Sequence, residues 1–270
     1  MLTIQTYHPT ALQHLVKSFW YLEVPSLPGV YEEAIIPDGH HEIIFHANAH
    51  TAKRQAGNQE WSREPDAFVA GQTLKSYRLQ LLPRSRLYGI RFHPHTLFTL
   101  LGVPANNLTE NIIALNAVTN AQPFWNCVTD NSAATFRNFE QLLLKRMAAL
   151  DFQSTAYRYV EVAVAAIIKD RGAISIDTLI KKTGVSVKYL DTLFKKHVGL
   201  TPKALSRILQ LNHFCSYKCS NPQKSLTECG YEAGYYDQSH AIKAFQYFTN
   251  KTPGDYFSNA GHINPIFTAH

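Results

Sequence analysis

The C-terminal part of the chain contains, at residues 232–257, the segment EAGYYDQSHAIKAFQYFTNKTPGDYF. Gly234 is suited to a tight turn, and Asp237 is a residue type that caps helices, so a helix is predicted to start there. Phe245 and Phe248 follow at helical spacing and are expected to face inward. A short helix, a glycine turn and a capped second helix are the parts of a helix-turn-helix unit.

The same order of features occurs earlier, in GVSVKYLDTLFKKHVGLTPKAL at residues 184–205. Gly184 is the turn residue and Ser186 the cap, and Leu190 and Phe194 are expected to face inward. The two copies lie ~50 residues apart, which indicates an internal duplication. A long linking helix is predicted between them, from Thr201-Pro202 to about residue 218, because proline is tolerated in a first helical turn.

In such a unit the second helix presents its polar first turns outward, where they can enter a DNA major groove. The outward positions predicted from the pattern are Val187, Lys188, Asp191, Thr192 and Lys195 in the first unit, and Asp237, Gln238, Ser239, His240 and Lys243 in the second. Lys, Gln, His, Ser and Thr suit contacts to base edges or phosphates. The alternative interpretation of these residues is an ordinary solvated helix face.

Both segments closely resemble AraC/XylS-type transcription regulators, over roughly residues 155–258. The resemblance implies two helix-turn-helix units joined by a linking helix, with double-stranded DNA as partner and entry into two successive major grooves. Carried over by position, it implies base contacts at Lys188, Asp191 and Thr192, and at Gln238, Ser239, His240 and Lys243, whereas Lys195 is predicted to contact phosphate.

The sequence departs from the family pattern at several positions. Thr192 stands where the family usually has Arg, and Ala241 and Phe257 replace a usual Phe and Arg. Ile180 occupies a position where a small residue normally lets the first two helices cross closely. Gly230 keeps that small residue in the second unit, which therefore follows the family pattern more closely than the first.

The first ~120 residues are rich in short β-prone runs separated by Pro, Gly and Asn, which is typical of a small barrel or sandwich. Strands are predicted at 19–24, 31–36, 41–47, 67–70, 77–82 and 87–92, and helices at 9–16, 96–101, 108–115 and 133–150. The last of these helical pieces are expected to form a hairpin that closes the domain. Residues 151–155 are predicted to be a short linker, so the chain divides into domains at 1–152 and 155–260.

Three segments of the first domain resemble the N-terminal sensor domains of some of these regulators, namely IIPDGHHEIIF (35–45), FVAGQT (68–73) and YGIRFHPHTLFTLLG (88–102). The resemblance implies a cupin-like β-barrel with attached helices that serves effector binding or dimerisation. The expected fold class is therefore α+β, with a β-barrel domain followed by an all-α domain. A small-molecule effector and a second copy of the chain are the further candidate partners.

Composition and charge agree with a DNA partner. Residues 1–150 hold 12 Lys and Arg against 11 Asp and Glu, whereas residues 151–270 hold 14 against 9, so the excess positive charge lies in the second domain. No apolar run is long enough to span a bilayer, so no membrane partner is expected. Because the start MLTIQTYHPT lacks the features of an export signal, a cytoplasmic location without disulfides is expected. Cys215 and Cys219 are predicted to be a buried thiol pair on one helix face.

An enzymatic first domain is the alternative to a sensor. The residues Asp38, His40, His41, His46, His93 and His95 are of metal-ligating types, but Pro94 interrupts the His-x-His pair and no third ligand follows at a cupin spacing. A DNA-binding adaptor fused to an alkyl-transfer domain would need a reactive cysteine, and Cys127 lies in FWNCVTD rather than in a Pro-Cys-His setting. We therefore expect no metal, no cofactor and no catalytic residues, and hence a regulator rather than an enzyme.

Overall fold

The computed structural model describes residues 2–26, 29–48, 52–57, 59–150, 152 and 154–258. Ten strands lie in the first part of the chain: β1 Thr3–Tyr7, β2 Val16–Glu23, β3 Tyr31–Ile35, β4 His41–His46, β5 Ala52–Ala56, β6 Ser62–Arg63, β7 Ala67–Ala70, β8 Tyr77–Leu81, β9 Arg86–Phe92 and β10 Ile112–Ala114. They form a six-stranded sheet in the order β1-β2-β9-β4-β7-β10 and a four-stranded sheet in the order β3-β8-β5-β6. The expected β-rich domain is confirmed, but its described strands form two open sheets and no closed barrel.

The six-stranded sheet is buried on both faces, which explains the continuous apolar run of β2. Trp20 and Leu22 point into a core shared with the four-stranded sheet. Phe19 and Tyr21 point to the opposite face, where helices cover them. A strand buried on both sides has no polar face, so its sequence does not alternate.

Short helices and one long helix complete this part of the chain: α1 Leu97–Leu101 lies between β9 and β10, and α2 Leu115–Val118, α3 Gln122–Trp125 and α4 Ser132–Met147 follow β10. Phe136, Phe139 and Leu143 on α4 are buried against the six-stranded sheet. The expected helical hairpin is therefore a single long helix preceded by short helical turns. Of the expected linker 151–155, residues 151 and 153 lie outside the described residues, and α5 begins at Thr155.

Two of the predicted helices are wrong. Residues 9–16 form only a 3-10 turn at Thr10–Leu12, because Val16 already belongs to a strand that pairs with β9. Within 108–115, residues Ile112–Ala114 form β10 and extend the sheet beside β7. In both places tertiary strand pairing overrides a local apolar spacing that resembles a helix.

The C-terminal part is helical: α5 Thr155–Lys169, α6 Ile176–Thr183, α7 Val187–His197, α8 Pro202–Ser220, α9 Leu226–Glu232, α10 Gln238–Thr249 and α11 Pro253–Ser258. One core cluster runs through all of them. The linking helix α8 packs against α5, α7, α9 and α10, so it joins the two units through side-chain contacts as well as through the chain. Across the described residues, no helix combines the length and the apolar character that a membrane crossing requires.

The four cysteines are free thiols. Cys215 is buried in the helical core, whereas Cys219, one turn later on α8, is exposed. The prediction of a buried thiol pair is therefore wrong for Cys219, because the end of α8 projects beyond the core.

Candidate nucleic-acid interface

The first helix-turn-helix unit consists of α6 and α7. Gly184 ends α6 in the left-handed region at φ +72°, a conformation that glycine adopts without strain. The Ser186 hydroxyl accepts a hydrogen bond from the Tyr189 backbone N–H at 3.3 Å and so caps α7. Leu190 and Phe194 on the inner side of α7 are buried, as predicted. The opposite side of its first turns therefore faces solvent.

The second unit, α9 and α10, is built in the same way. Ser225 and Glu228 form a reciprocal capping box at the start of α9. Asp237 caps α10, because its carboxylate accepts a hydrogen bond from the His240 backbone N–H at 2.7 Å. Gly234 supplies the turn at φ +77°. Asp237 was predicted as an outward position; it is exposed, and its side chain also caps the start of α10.

The two helices of the second unit cross closely at Gly230. A Cβ atom at this position would lie 3.3 Å from the Ala241 Cβ, closer than most real contacts of this kind. Ala241, which stands where related regulators usually have Phe, is buried and fits this close approach. Ile180, at the corresponding position of the first unit, is half-buried.

The structure leaves the candidate DNA-contact residues accessible on both units. Seven of the eight are exposed and one, Asp191, is half-buried; the exposed ones are Lys188, Thr192, Lys195, Gln238, Ser239, His240 and Lys243. The Thr192 hydroxyl donates a hydrogen bond to the Lys188 carbonyl at 3.0 Å, so its lone pairs rather than its proton are open to a ligand. Within the described residues, Lys188, Lys195 and Lys243 form no ion pair, which leaves their charges available to a polyanion.

The first domain contacts the C-terminal ends of both of these helices. At α10, the Ser76 backbone N–H donates to the Phe248 carbonyl at 2.8 Å, and the Lys75 ammonium donates to the Tyr247 carbonyl. After α7, the Thr109 hydroxyl donates to the Gly199 carbonyl at 2.9 Å. The β-rich domain therefore holds the far ends of the two helices and leaves their first turns uncovered.

The ring of Phe98 on α1 also meets the imidazole of His197 at the end of α7, with centroids 4.7 Å apart. Beneath this contact His95 is buried, and its two ring nitrogens have no hydrogen-bond partner in the described structure. Burial lowers the pKa of His95 to about 3 and that of His197 to about 4. Both imidazoles are therefore neutral in the packed domain contact.

The first domain contains a cavity of about 70 Å³ between its two sheets. Leu22, Ile44 and Leu79 line its apolar part. At the polar end, Glu42 accepts a hydrogen bond from the Trp20 indole at 3.1 Å and pairs with the buried guanidinium of Arg91 at 3.3 Å. Burial raises the pKa of Glu42 to about 7, although the adjacent Arg91 opposes that shift.

This cavity was not predicted from the sequence. Trp20, Glu42 and Arg91 lie on three different strands, and the register that aligns them becomes visible only in the sheet. Alternation along β2 marks the positions that share a face with Trp20, but it carries no sign of a cavity.

The candidate metal-ligating residues do not converge on one site, although the ring centroids of His40 and His93, and of His93 and His95, lie 6.4 and 6.3 Å apart. His40 contacts the Phe92 carbonyl at 2.9 Å through Nδ1, His46 lies 3.2 Å from Glu64, and Asp38 pairs with Arg91. In the part of the chain that the structure describes, no three potential ligands come together as a metal site. Asp38, His40 and His46 are thus engaged in local contacts, whereas the ring nitrogens of the buried His41 and His95 have no hydrogen-bond partner in the described structure.

Cys127, the residue on which an alkyl-transfer reaction would depend, is buried. Its thiol donates to the Pro123 carbonyl at 3.3 Å, and burial raises its pKa. A thiolate, the reactive form, is disfavoured in this environment.

Comparison with known proteins agrees with this geometry. Residues 179–259 match a family described as a helix-turn-helix domain, and residues 5–114 match a family described as a domain of unknown function (DUF6597). No curated protein sequence matches the chain significantly.

The chain is also similar, at low sequence identity, to two solved proteins. ToxT from Vibrio cholerae O395 is 10% identical, with 97% of this chain and 99% of that chain covered and a TM-score of 0.47. The AraC-like transcriptional activator CuxR is 14% identical, with 77% and 79% covered and a TM-score of 0.33.

Two capped helices with exposed polar first turns, within a matched helix-turn-helix domain, define a DNA-binding protein. The C-terminal helices form a domain of the AraC/XylS type, and the chain is a DNA-binding transcription regulator.

Proposed function

We propose that the chain reads a specific DNA sequence through the first turns of α7 and α10. The residues assigned to DNA are Lys188, Asp191, Thr192 and Lys195 on α7, and Gln238, Ser239, His240 and Lys243 on α10. The observation that carries this assignment is that both helices expose these turns while their inner faces are buried in one shared core. Lys195 is assigned to phosphate, and the earlier turns are assigned to base edges in two successive major grooves.

The proposal divides the chain into a sensor domain at 1–152 and a DNA-binding domain at 155–260. Contacts from Ser76 and Thr109 to the ends of α10 and α7 support a role for the first domain in setting the relative position of the two helices. A change in the first domain would reach both DNA-contacting helices through these contacts. A cytoplasmic location is part of this proposal, because DNA is the partner.

The sensor domain is proposed to bind a small-molecule effector in the cavity beside Glu42. A solved structure of wild-type ToxT from Vibrio cholerae strain SCE256 contains a bound unsaturated fatty acid. That protein is 11% identical to this chain, with 94% of each chain covered and a TM-score of 0.43. For the present chain, the cavity itself supports the proposal, because it joins an apolar part to the carboxyl group of Glu42, which pairs with the buried Arg91. The proposed function also includes homodimer formation through the first domain. Sedimentation of the chain with and without DNA tests this.

A competition binding experiment tests the function. The full chain is mixed at ~150 mM salt with a labelled duplex from the region upstream of its own gene, against unlabelled random DNA of equal length. We expect preferred binding of the upstream duplex and a steep loss of affinity with salt, because bound phosphates release counterions. Equal affinity for both DNAs, in a chain shown to be folded by circular dichroism, would refute sequence-specific regulation by the upstream region.

A further inference from the structure

A cleft of about 560 Å³ opens within the C-terminal helices, between α8 and the first turn of α10. One wall is formed by α8, and the other by the segment 172–176 that leads into α6. His240 belongs both to this cleft and to the exposed first turn of α10. The cleft therefore opens beside the surface that we assign to DNA.

The wall on α8 is a polar stripe. Lys203, Ser206, Arg207 and Gln210 are spaced i, i+3, i+4 and i+7, so they lie on one side of the helix and all line the cleft. Lys203 is exposed, and the Arg207 guanidinium is held over the Tyr247 ring with 4.8 Å to its centroid. Two cations and a side-chain amide thus converge on the same space.

Two buried hydroxyl groups belong to the same walls. Ser206 is 7% exposed and Tyr235 is 4% exposed, and both line the cleft. In the described structure neither hydroxyl oxygen has a hydrogen-bond partner. Burial raises the pKa of Tyr235, so its hydroxyl keeps its proton and can donate. A buried hydroxyl without a partner is unfavourable, and because both oxygens are covered in this conformation, a ligand oxygen would satisfy them after a local side-chain movement towards the cleft.

The chemistry of the walls selects for an anion. Among the described residues, none of those that line the cleft is acidic. Lysine, arginine, amide and hydroxyl donors together suit a group that has several acceptor oxygens and a negative charge, as a phosphate has. We propose that this cleft binds a phosphate group, and that the group is a backbone phosphate of the DNA contacted by α10. The second part rests on the proposed function.

Two variants separate the contributions of charge and hydroxyl groups. Lys203→Gln removes one positive charge, and we expect weaker binding to all duplexes and a slope of log affinity against log salt that is smaller by about 0.9. The double variant Ser206→Ala/Tyr235→Phe removes both hydroxyls and no charge. We expect it to bind DNA roughly tenfold more weakly with an unchanged salt slope.

Lys145→Gln on α4 is the matched control, because it removes an exposed lysine charge from the other domain, and its affinity and slope should equal those of the wild type. Thermal unfolding keeps the test interpretable. Loss of two unpartnered hydroxyls should leave the midpoint of the double variant unchanged or higher, so weaker binding would not reflect unfolding.

Inorganic phosphate, titrated into the DNA-free chain at constant ionic strength, separates the two sources of phosphate. Phosphate binding by the wild type that the double variant lacks, together with DNA affinity that neither variant changes, would assign the cleft to a free phosphate compound and overturn the DNA assignment. If the wild type prefers its upstream DNA but both variants bind that DNA and phosphate like the wild type, the cleft proposal is wrong and the proposed function stands. Loss of sequence preference in the wild type would refute only the proposed function.

Discussion

The buried histidines at the contact between the two domains predict a specific acid sensitivity. His95 and His197 have folded-state pKa values of about 3 and about 4, because burial disfavours their charged forms. In the unfolded chain a histidine titrates near 6.5. Above pH 6.5 both histidines are neutral in the folded and the unfolded chain, so they do not affect the free energy of unfolding. As the pH falls below 6.5, only the unfolded chain takes up the protons, and the free energy of unfolding decreases.

The size of the effect follows from the same values. Between pH 7.5 and pH 5.5 the unfolded chain gains nearly one proton per histidine, and the folded chain gains almost none. Each histidine then lowers the free energy of unfolding by about 1.4 kcal/mol. Glu42 acts in the opposite sense, since its raised pKa of about 7 adds stability as it becomes protonated below that pH. The buried His41, whose pKa burial lowers to about 4, acts in the same sense as His95 and His197, so the wild-type curve alone mixes several opposing contributions.

Comparison with single variants separates them. Urea unfolding at pH 7.5 and pH 5.5 measures how much the free energy of unfolding decreases between the two conditions. For His95→Gln and for His197→Gln this decrease should be smaller than that of the wild type by about 1.4 kcal/mol, because the Glu42 contribution cancels in the comparison. His240→Gln, which changes an exposed histidine, should show the wild-type loss. Equal pH dependence in the wild type and both buried-site variants would refute the reasoning.

Three further predictions concern DNA reading and core packing. Gln238→Ala should cost roughly 1–3 kcal/mol of binding to the preferred duplex and relax base preference locally, whereas Lys195→Ala should weaken all duplexes about equally, as measured by fluorescence anisotropy; equal effects on every duplex from both would contradict the assignment of faces. Gly230→Leu should lower the free energy of unfolding by about 1–3 kcal/mol, and Gly230→Ala by less, because added atoms meet Ala241; similar urea midpoints for the two variants would be inconsistent with a close crossing. Asn212→Leu should raise the free energy of unfolding by about 1–3 kcal/mol, because the side chain is fully buried and both its polar atoms lack partners in the described structure; a destabilised variant would mean that the amide is satisfied.

The helical half of the molecule was predictable because its signals are local. Capping residues such as Ser186 and Asp237 start helices by a hydrogen bond within three residues, and Gly184 and Gly234 end or connect them by their backbone conformation. The predicted α7 and α10 therefore agree with the structure to within a residue or two. The candidate contact residues followed from the same local periodicity, and their assignment to DNA stays a prediction.

The strand half was predicted less completely because its contacts are distant in sequence. Strand β5, which reads AKRQA, has few apolar residues and is a strand only because β8 and β6 pair with it. Strand β1 was missed, and β10 was predicted as helix, for the same reason: each depends on a partner strand. The contacts of Ser76 with the end of α10 and of Thr109 with Gly199 after α7 likewise depend on how two domains pack, which no local pattern encodes.

The length of the linking helix α8 limits the kind of DNA site that a single chain can contact. Its 19 residues extend for about 28 Å and pack against both units, so it fixes the distance between the two helix-turn-helix units. If the first turns of α7 and α10 read DNA as proposed, their unlike side chains require a contiguous, non-palindromic site that has a direction relative to the promoter. Inserting about five base pairs between the two half-sites would turn one of them to the far side of the duplex, and a single chain could then engage only one.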